Sequence, residues 1–146
     1  MMKILLDEGV PEQVVTVLQH VLRGHQVDHV TRIGWSGKAD RRLYPDAARR
    51  KYAVLVTNDA AQMDDPDECQ AVKRSGIHRV SYRHKHKGLR GLAVAVASMV
   101  AAMPDVVEEL GNAGGQRLVA IEGINPTRKR YRVIDLQRDP PRYWPR

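Results

Sequence analysis

The stretch Lys3-Ile-Leu-Leu-Asp-Glu8 constrains this chain more than any other. A short, unbroken apolar run has no polar face to offer water. It therefore reads as a strand buried on both sides, as in parallel sheets covered by helices. The run ends abruptly in two carboxylates, and open α/β sheets bind their ligands at the carboxyl ends of strands. The pattern recurs in Ala53-Val-Leu-Val-Thr-Asn-Asp59, a second such strand tipped with an acid. If the two strands are neighbours, Asp7 and Asp59 meet in space, and that pairing is the main functional clue.

The 146 residues amount to about one domain, long enough to bury a core without staples. A single cysteine, Cys69, excludes an intramolecular disulfide framework and fits a reducing cytoplasm. No amino-terminal segment joins basic residues, a long apolar run and a small-residue cleavage site. The longest apolar stretch, Leu92 to Met103, is interrupted by Ser98 and reads as too short to cross a bilayer. A soluble cytoplasmic protein with no membrane partner is the expectation.

The net charge of +7 is unevenly placed. Residues 1–68 carry 9 Lys plus Arg against 11 Asp plus Glu, a net of −2, whereas residues 69–146 carry 15 against 6, a net of +9. A positive surface beside an acidic pocket suits a polyanion whose cleavage needs a carboxylate-held metal; a merely solvated basic surface explains the charge equally well.

In chain order, Asp7 to Pro11 is a turn into a first helix, where Val14, Val15, Leu18, Val21 and Leu22 recur at helical spacing until Gly24. His25 to Val30 reads as a strand, with Val27 and Val30 inside and Asp28 and His29 at the surface or strand edge. Asp40 heads a weak helical pattern closed by Arg49-Arg50-Lys51, an acid-to-base order that suits the helix dipole. Pro45 argues against that helix beginning far upstream of it. Asp64-Asp65-Pro66-Asp67-Glu68 opens a further helix, to about Lys73, and a run of acids there is favourable for the dipole whether or not one of them binds metal.

Ile77 to Tyr82 reads as another strand. The loop Arg83-His-Lys-His-Lys-Gly88 that follows suits phosphate contact better than metal binding, since its lysines compete with a cation. Leu89 to Leu110 is the longest helix, with one wide apolar face, and Pro104 is expected to kink or divide it. Arg117 to Glu122 and Arg130 to Leu136 read as two strands joined by a Gly-Ile-Asn-Pro-Thr loop. The domain is thus expected over residues 1–136, with a basic, proline-rich tail at 137–146 acting as an arm or a docking segment.

Lys3-Ile-Leu-Leu-Asp-Glu-Gly-Val-Pro11, Gly24-His25 before a valine-rich strand, the Asp40-headed helix and Val54-Leu-Val-Thr-Asn-Asp59 together resemble the opening of the small PIN-like nuclease domains. These are related to the PIN-domain toxins of bacterial toxin–antitoxin pairs. The resemblance covers about residues 2–82. It implies a single-domain, three-layer α/β/α fold with a mostly parallel sheet, here followed by a C-terminal β-hairpin. It also implies Mg²⁺- or Mn²⁺-dependent ribonuclease activity from acids at the sheet's carboxyl edge. Carried over by position, Asp7, Asp40 and Asp59 are the catalytic and metal-binding acids, with Glu8 and one of Asp64 or Asp65 as further ligands. Gly9, Arg41 and Met63 stand where the family has an asparagine, an acid and an aromatic.

Carboxylate-bound Mg²⁺ or Mn²⁺ would polarise the phosphoryl oxygen and lower the pKa of the attacking water. Thr57 or Asn58 would orient that water or a phosphate, and Arg83, Lys85 and Lys87 would position the RNA backbone. Two alternatives are a degenerate PIN-like module that binds nucleic acid or protein without cutting, and a receiver-like phosphoacceptor domain. The implied partners are RNA, a cognate antitoxin protein covering the acidic pocket, and a second copy docked through the alanine-rich helix after Leu89.

Overall fold

A computed structural model describes residues 1–59, 63–84, 87–123 and 131–146. The elements follow in the order β1 (Lys3–Leu6), α1 (Val14–Val21), β2 (Gln26–His29), α2 (Asp40–Arg49), β3 (Val54–Thr57), α3 (Pro66–Ser75), β4 (His78–Tyr82), α4 (Gly88–Gly111), β5 (Leu118–Ile121) and β6 (Tyr131–Ile134). The six strands form one sheet in the order β2-β1-β3-β4-β5-β6. All neighbours are parallel except the β5–β6 pair. The fold is α/β, with a mostly parallel sheet and a C-terminal antiparallel strand pair. Within the joining loop, residues 124–130 lie outside the described residues.

The sheet is buried on both faces, as its apolar strands require. Ile4 and Leu6 of β1 pack with Leu18 of α1 and Met99 and Val106 of α4, while Leu5, between them, packs with Leu43 and Tyr44 of α2 and Val72 of α3. From β1 the chain runs to β2 on one side and then to β3 on the other. The β1–β3 crevice is therefore the topological switch point, where sheets of this order receive ligands at the strands' carboxyl ends. Asp7 N donates to Val56 O at 2.9 Å, so the β1–β3 ladder extends one residue past β1 and carries Asp7 to that edge.

Three local expectations change. Pro104 does not divide the long helix: α4 runs unbroken from Gly88 to Gly111. Met99, Ala102, Met103, Val106 and Val107 all face the core, and packing of an apolar face outweighs the one backbone bond a proline forfeits. By length and composition this 24-residue helix could cross a membrane, yet its apolar stripe packs on α1, β4 and β5. His29 is not at the surface. It is 2 % exposed; its Nε2 hydrogen donates to Val10 O at 2.6 Å, and its Nδ1 accepts from Thr31 N at 3.1 Å. Both ring nitrogens are engaged by backbone, which satisfies a buried polar ring. Helix α2 starts at Asp40 in spite of Pro45, which sits inside it.

The C-terminal segment lies along the domain. Leu136 and Trp144 pack against the second core cluster, and Lys73 Nζ donates to Pro145 O at 2.5 Å.

Candidate acidic active site

Thr57 closes β3 and is fully buried. Its hydroxyl donates to Asp7 Oδ2 at 3.0 Å and accepts from Asp59 N at 3.1 Å, so one oxygen ties together the two acids that the sequence pairs. Asp7 is held a second time, its Oδ1 accepting from Glu8 N at 2.7 Å. The carbonyl of Asp59 accepts from the guanidinium of Arg79, a residue of β4 that is 3 % exposed. Arg79 is also hydrogen-bonded to the buried Tyr44, whose hydroxyl is raised well above its ordinary range, first by burial. Asp7 and Asp40 add to that rise and Arg79 opposes it, which places all four groups beneath one edge.

Gly9 has a local cause. Asn58 Nδ2 donates to Gly9 O at 3.0 Å, and a Cβ on residue 9 would lie 2.3 Å from Asn58 Oδ1. The amide of Asn58 fills the space a side chain at position 9 would need. Glu8 turns the other way, its Oε1 accepting from Gly37 N at 3.0 Å and anchoring the loop before α2.

Asp40 opens α2 and faces α3, the most closely packed helix pair in the fold. The acid it meets there is Glu68. Asp65 instead caps α3 by accepting from Asp67 N at 2.9 Å, with Pro66 following it, and Asp64 is exposed. Glu68 lies one turn further on, hydrogen-bonded to Asp40, and its Oε2 is buried with no partner. Its carboxyl is pushed up to about 7, first by burial and then by the charges of Asp40, Asp65 and Asp59. The sequence offered Glu68 only as one of a run of acids. Helical phase singles it out, because it is the half-buried member, one residue before the buried Cys69.

On the opposite face of the sheet, the Tyr82 hydroxyl is also buried without a partner, and burial followed by the charge of Asp7 pushes it up to about 12. Among the described residues, Glu68 Oε2 and Tyr82 Oη are the two buried side-chain polar atoms left unsatisfied, and both flank these acids. Arg83 and Lys87 are exposed beyond β4, whereas Lys85 lies outside the described residues.

Among the described residues, no three carboxylate, histidine or cysteine side chains stand close enough to enclose a cation as they are placed. The chemistry of the donors nevertheless fits a hard divalent ion. All are carboxylate oxygens, one is buried and unpartnered, and burial first, with the repulsion of the neighbouring acids added, holds the Glu68 carboxyl up at about 7. Asp7, Asp40, Asp59 and Glu68 are the residues that would hold it.

The raised carboxyl gives a pH prediction. Between the ordinary 4.5 and about 7, the folded chain keeps on Glu68 a proton that the unfolded chain has lost. Stability therefore falls as pH rises through that window. Glu68→Gln is expected to remove this slope and to exceed wild type by about 1 kcal/mol at mildly alkaline pH, a figure reduced for solvent screening of a half-exposed group. Urea melts of both proteins at acid and alkaline pH check it; parallel curves would show that Glu68 carries no excess proton.

The fold and this edge define an α/β domain with its acids at the switch point of a parallel sheet. A family model described as a PIN like domain matches residues 2–83, and the chain belongs to that family, which is generally one of nucleases. No curated protein and no solved structure matches the chain.

Proposed function

We propose that this protein is a metal-dependent endoribonuclease that hydrolyses RNA phosphodiester bonds, and that it serves as the toxin of a toxin–antitoxin pair. The observation that carries the reading is Glu68 Oε2, a buried, unpartnered carboxylate oxygen under the charges of Asp40 and Asp59. A buried polar atom without a partner costs about 1–3 kcal/mol. A site that keeps one among like charges is built for a ligand of opposite charge.

Bound Mg²⁺ or Mn²⁺ would polarise the phosphoryl oxygen and acidify a water. The chain's own part is positional. Thr57 sets Asp7 against the backbone of Asp59, Arg79 holds the Asp59 carbonyl, and Glu68 is hydrogen-bonded to Asp40 across the two helices, where a bound cation would favour its deprotonated form. In this reading Thr57 orients an acid rather than the water or phosphate. Arg83, Lys85 and Lys87 track the RNA backbone. An antitoxin would cover the acidic edge or insert a basic side chain into it. The exposed Leu89 and Val94 of α4 offer a surface for a second copy.

The test is cleavage of unstructured and structured RNA with Mn²⁺ or Mg²⁺, in wild type, in Asp59→Asn and with a chelator. Loss of cleavage in both controls supports the reading; cleavage that survives Asp59→Asn refutes it. The separation of the carboxylates as placed favours one competitor, a module that binds RNA without cutting it. Its signature in the same assay is tight binding with no products under any metal. Growth that is unaffected by expression of the protein alone would remove the toxin role.

A further inference from the structure

The same edge of the sheet opens into a cleft of about 330 Å³ that the acids do not occupy. Helices α2 and α3 cover β1, β3 and β4 on this face, and the C-terminal segment takes the helix's place over β5 and β6. Leu136 and Trp144 seal that cover, but Pro140 and Pro141 stand off the sheet and wall a cleft whose floor includes Ala120. Ala120 shares its face with Leu118, while Val119 and Ile121 point into the opposite core. The family match ends at residue 83, so most of this cleft is made by the part of the chain beyond it.

We infer that this cleft receives one unpaired nucleotide of the RNA next to the scissile phosphate, which rests on the nuclease reading above. Three observations point there. The first is position. Arg79 lines the cleft and also donates to the Asp59 carbonyl, so cleft and acidic edge share a wall.

The second is charge. Arg83 and Arg132 stand at the mouth, and Arg132 is 65 % exposed with a loose 3.7 Å pairing to Glu122. A weak, solvated ion pair of this kind yields readily to a phosphate, which arginine binds through two parallel hydrogen bonds. Glu122 and Asp139, also in the lining, oppose a bare anion; three arginines against two carboxylates suit a base and sugar carrying a single phosphate.

The third is size and wall chemistry. The volume lies at the low end of the ~300–1,000 Å³ of ligand pockets. It admits one nucleotide and no duplex. Proline rings and Met63 give flat apolar walls for a base, and a base is available to such walls only when it is unstacked and unpaired.

The experiment measures affinity by fluorescence anisotropy on full-length Asp59→Asn protein, using a labelled single-stranded oligoribonucleotide, its duplex, and a series with one abasic position. Wild-type cleavage of the same RNAs runs in parallel. Single-strand binding is expected to exceed duplex binding by about tenfold or more, to fall about tenfold at one abasic position, and to fall similarly in Ala120→Phe, which fills the cleft. Arg132→Glu, at an exposed position where folding is not at stake, is expected to weaken single-strand binding and to flatten its salt dependence. Ala120→Phe, Arg132→Glu and every abasic probe binding like the parent pair would overturn the inference even if cleavage proceeds and single strands are preferred. Base-dependent binding without cleavage by wild type would leave the cleft assigned and remove the nuclease reading instead.

Discussion

Asp7→Asn is expected to lower Mn²⁺-dependent RNA cleavage by about 10²–10³-fold, the usual cost of removing one group that acts on charge developing in a transition state. The substitution is nearly isosteric, and its oxygen still accepts from Glu8 N. Thr57 Oγ, which now donates to Asp7, would reorient to accept from the new amide. The fold should therefore survive. Without cation the variant should melt no lower than wild type, because one of several mutually repelling charges has gone. Added Mn²⁺ should raise the melting temperature of wild type more than that of the variant, since an ion that binds only the folded state stabilises it by mass action. Initial rates and thermal melts with and without Mn²⁺ decide the matter. Cleavage within threefold of wild type would show that Asp7 is not a ligand.

Arg79→Ala is expected to cost about 3 kcal/mol of stability, or roughly 10 °C in melting temperature. The guanidinium is buried in β4, donates to the Asp59 carbonyl and is hydrogen-bonded to Tyr44. Truncation takes a donor from the fully buried Tyr44 and the fixing contact from the Asp59 carbonyl, and it opens a void beneath the acids. Arg79→Lys keeps the charge but not the planar fork, and should recover only part of the loss. Activity is expected to fall along with stability, because Asp59 loses the contact that fixes its backbone. An alanine variant that melts within two degrees of wild type would show that the loop after β3 is held by something else.

The sheet's centre was legible because its physics is local. Short apolar runs ended by acids are too short for a buried helix and read as doubly buried parallel strands, and β1 and β3 follow the two runs that carry Asp7 and Asp59. Asp40 was legible as a first-turn acid. Glu68 was not distinguished from its neighbours, because its role depends on the phase of α3 against α2, and that phase is set by how the two helices pack. Arg79 escaped notice for a related reason. A charge in an alternating strand reads as solvent-facing, and only the tertiary structure supplies the carbonyl and the tyrosine that allow it to be buried. Gly9 departs from the family's asparagine, and its cause is tertiary: Asn58, far away in sequence, occupies the space a side chain there would need. The cleft beneath Pro140 and Pro141 has no sequence signature at all, since it arises where, among the described residues, the C-terminal segment and not a helix covers β5 and β6 on the face shared with α2 and α3.

The two outermost strands, β2 and β6, bear on how copies of this protein can associate. An open sheet edge is a template that another chain can extend, the route to strand addition and aggregation. Each border strand here is only four residues long and carries a charge, Asp28 in β2 and Arg132 in β6. Asp28 is also engaged sideways, accepting from Gln26 Nε2 and Tyr52 Oη at 2.7 Å each. Short, charged borders resist growth of the sheet from one molecule into the next. Any association between copies would then fall to helix surfaces, where contacts are made side chain to side chain and can be reversed.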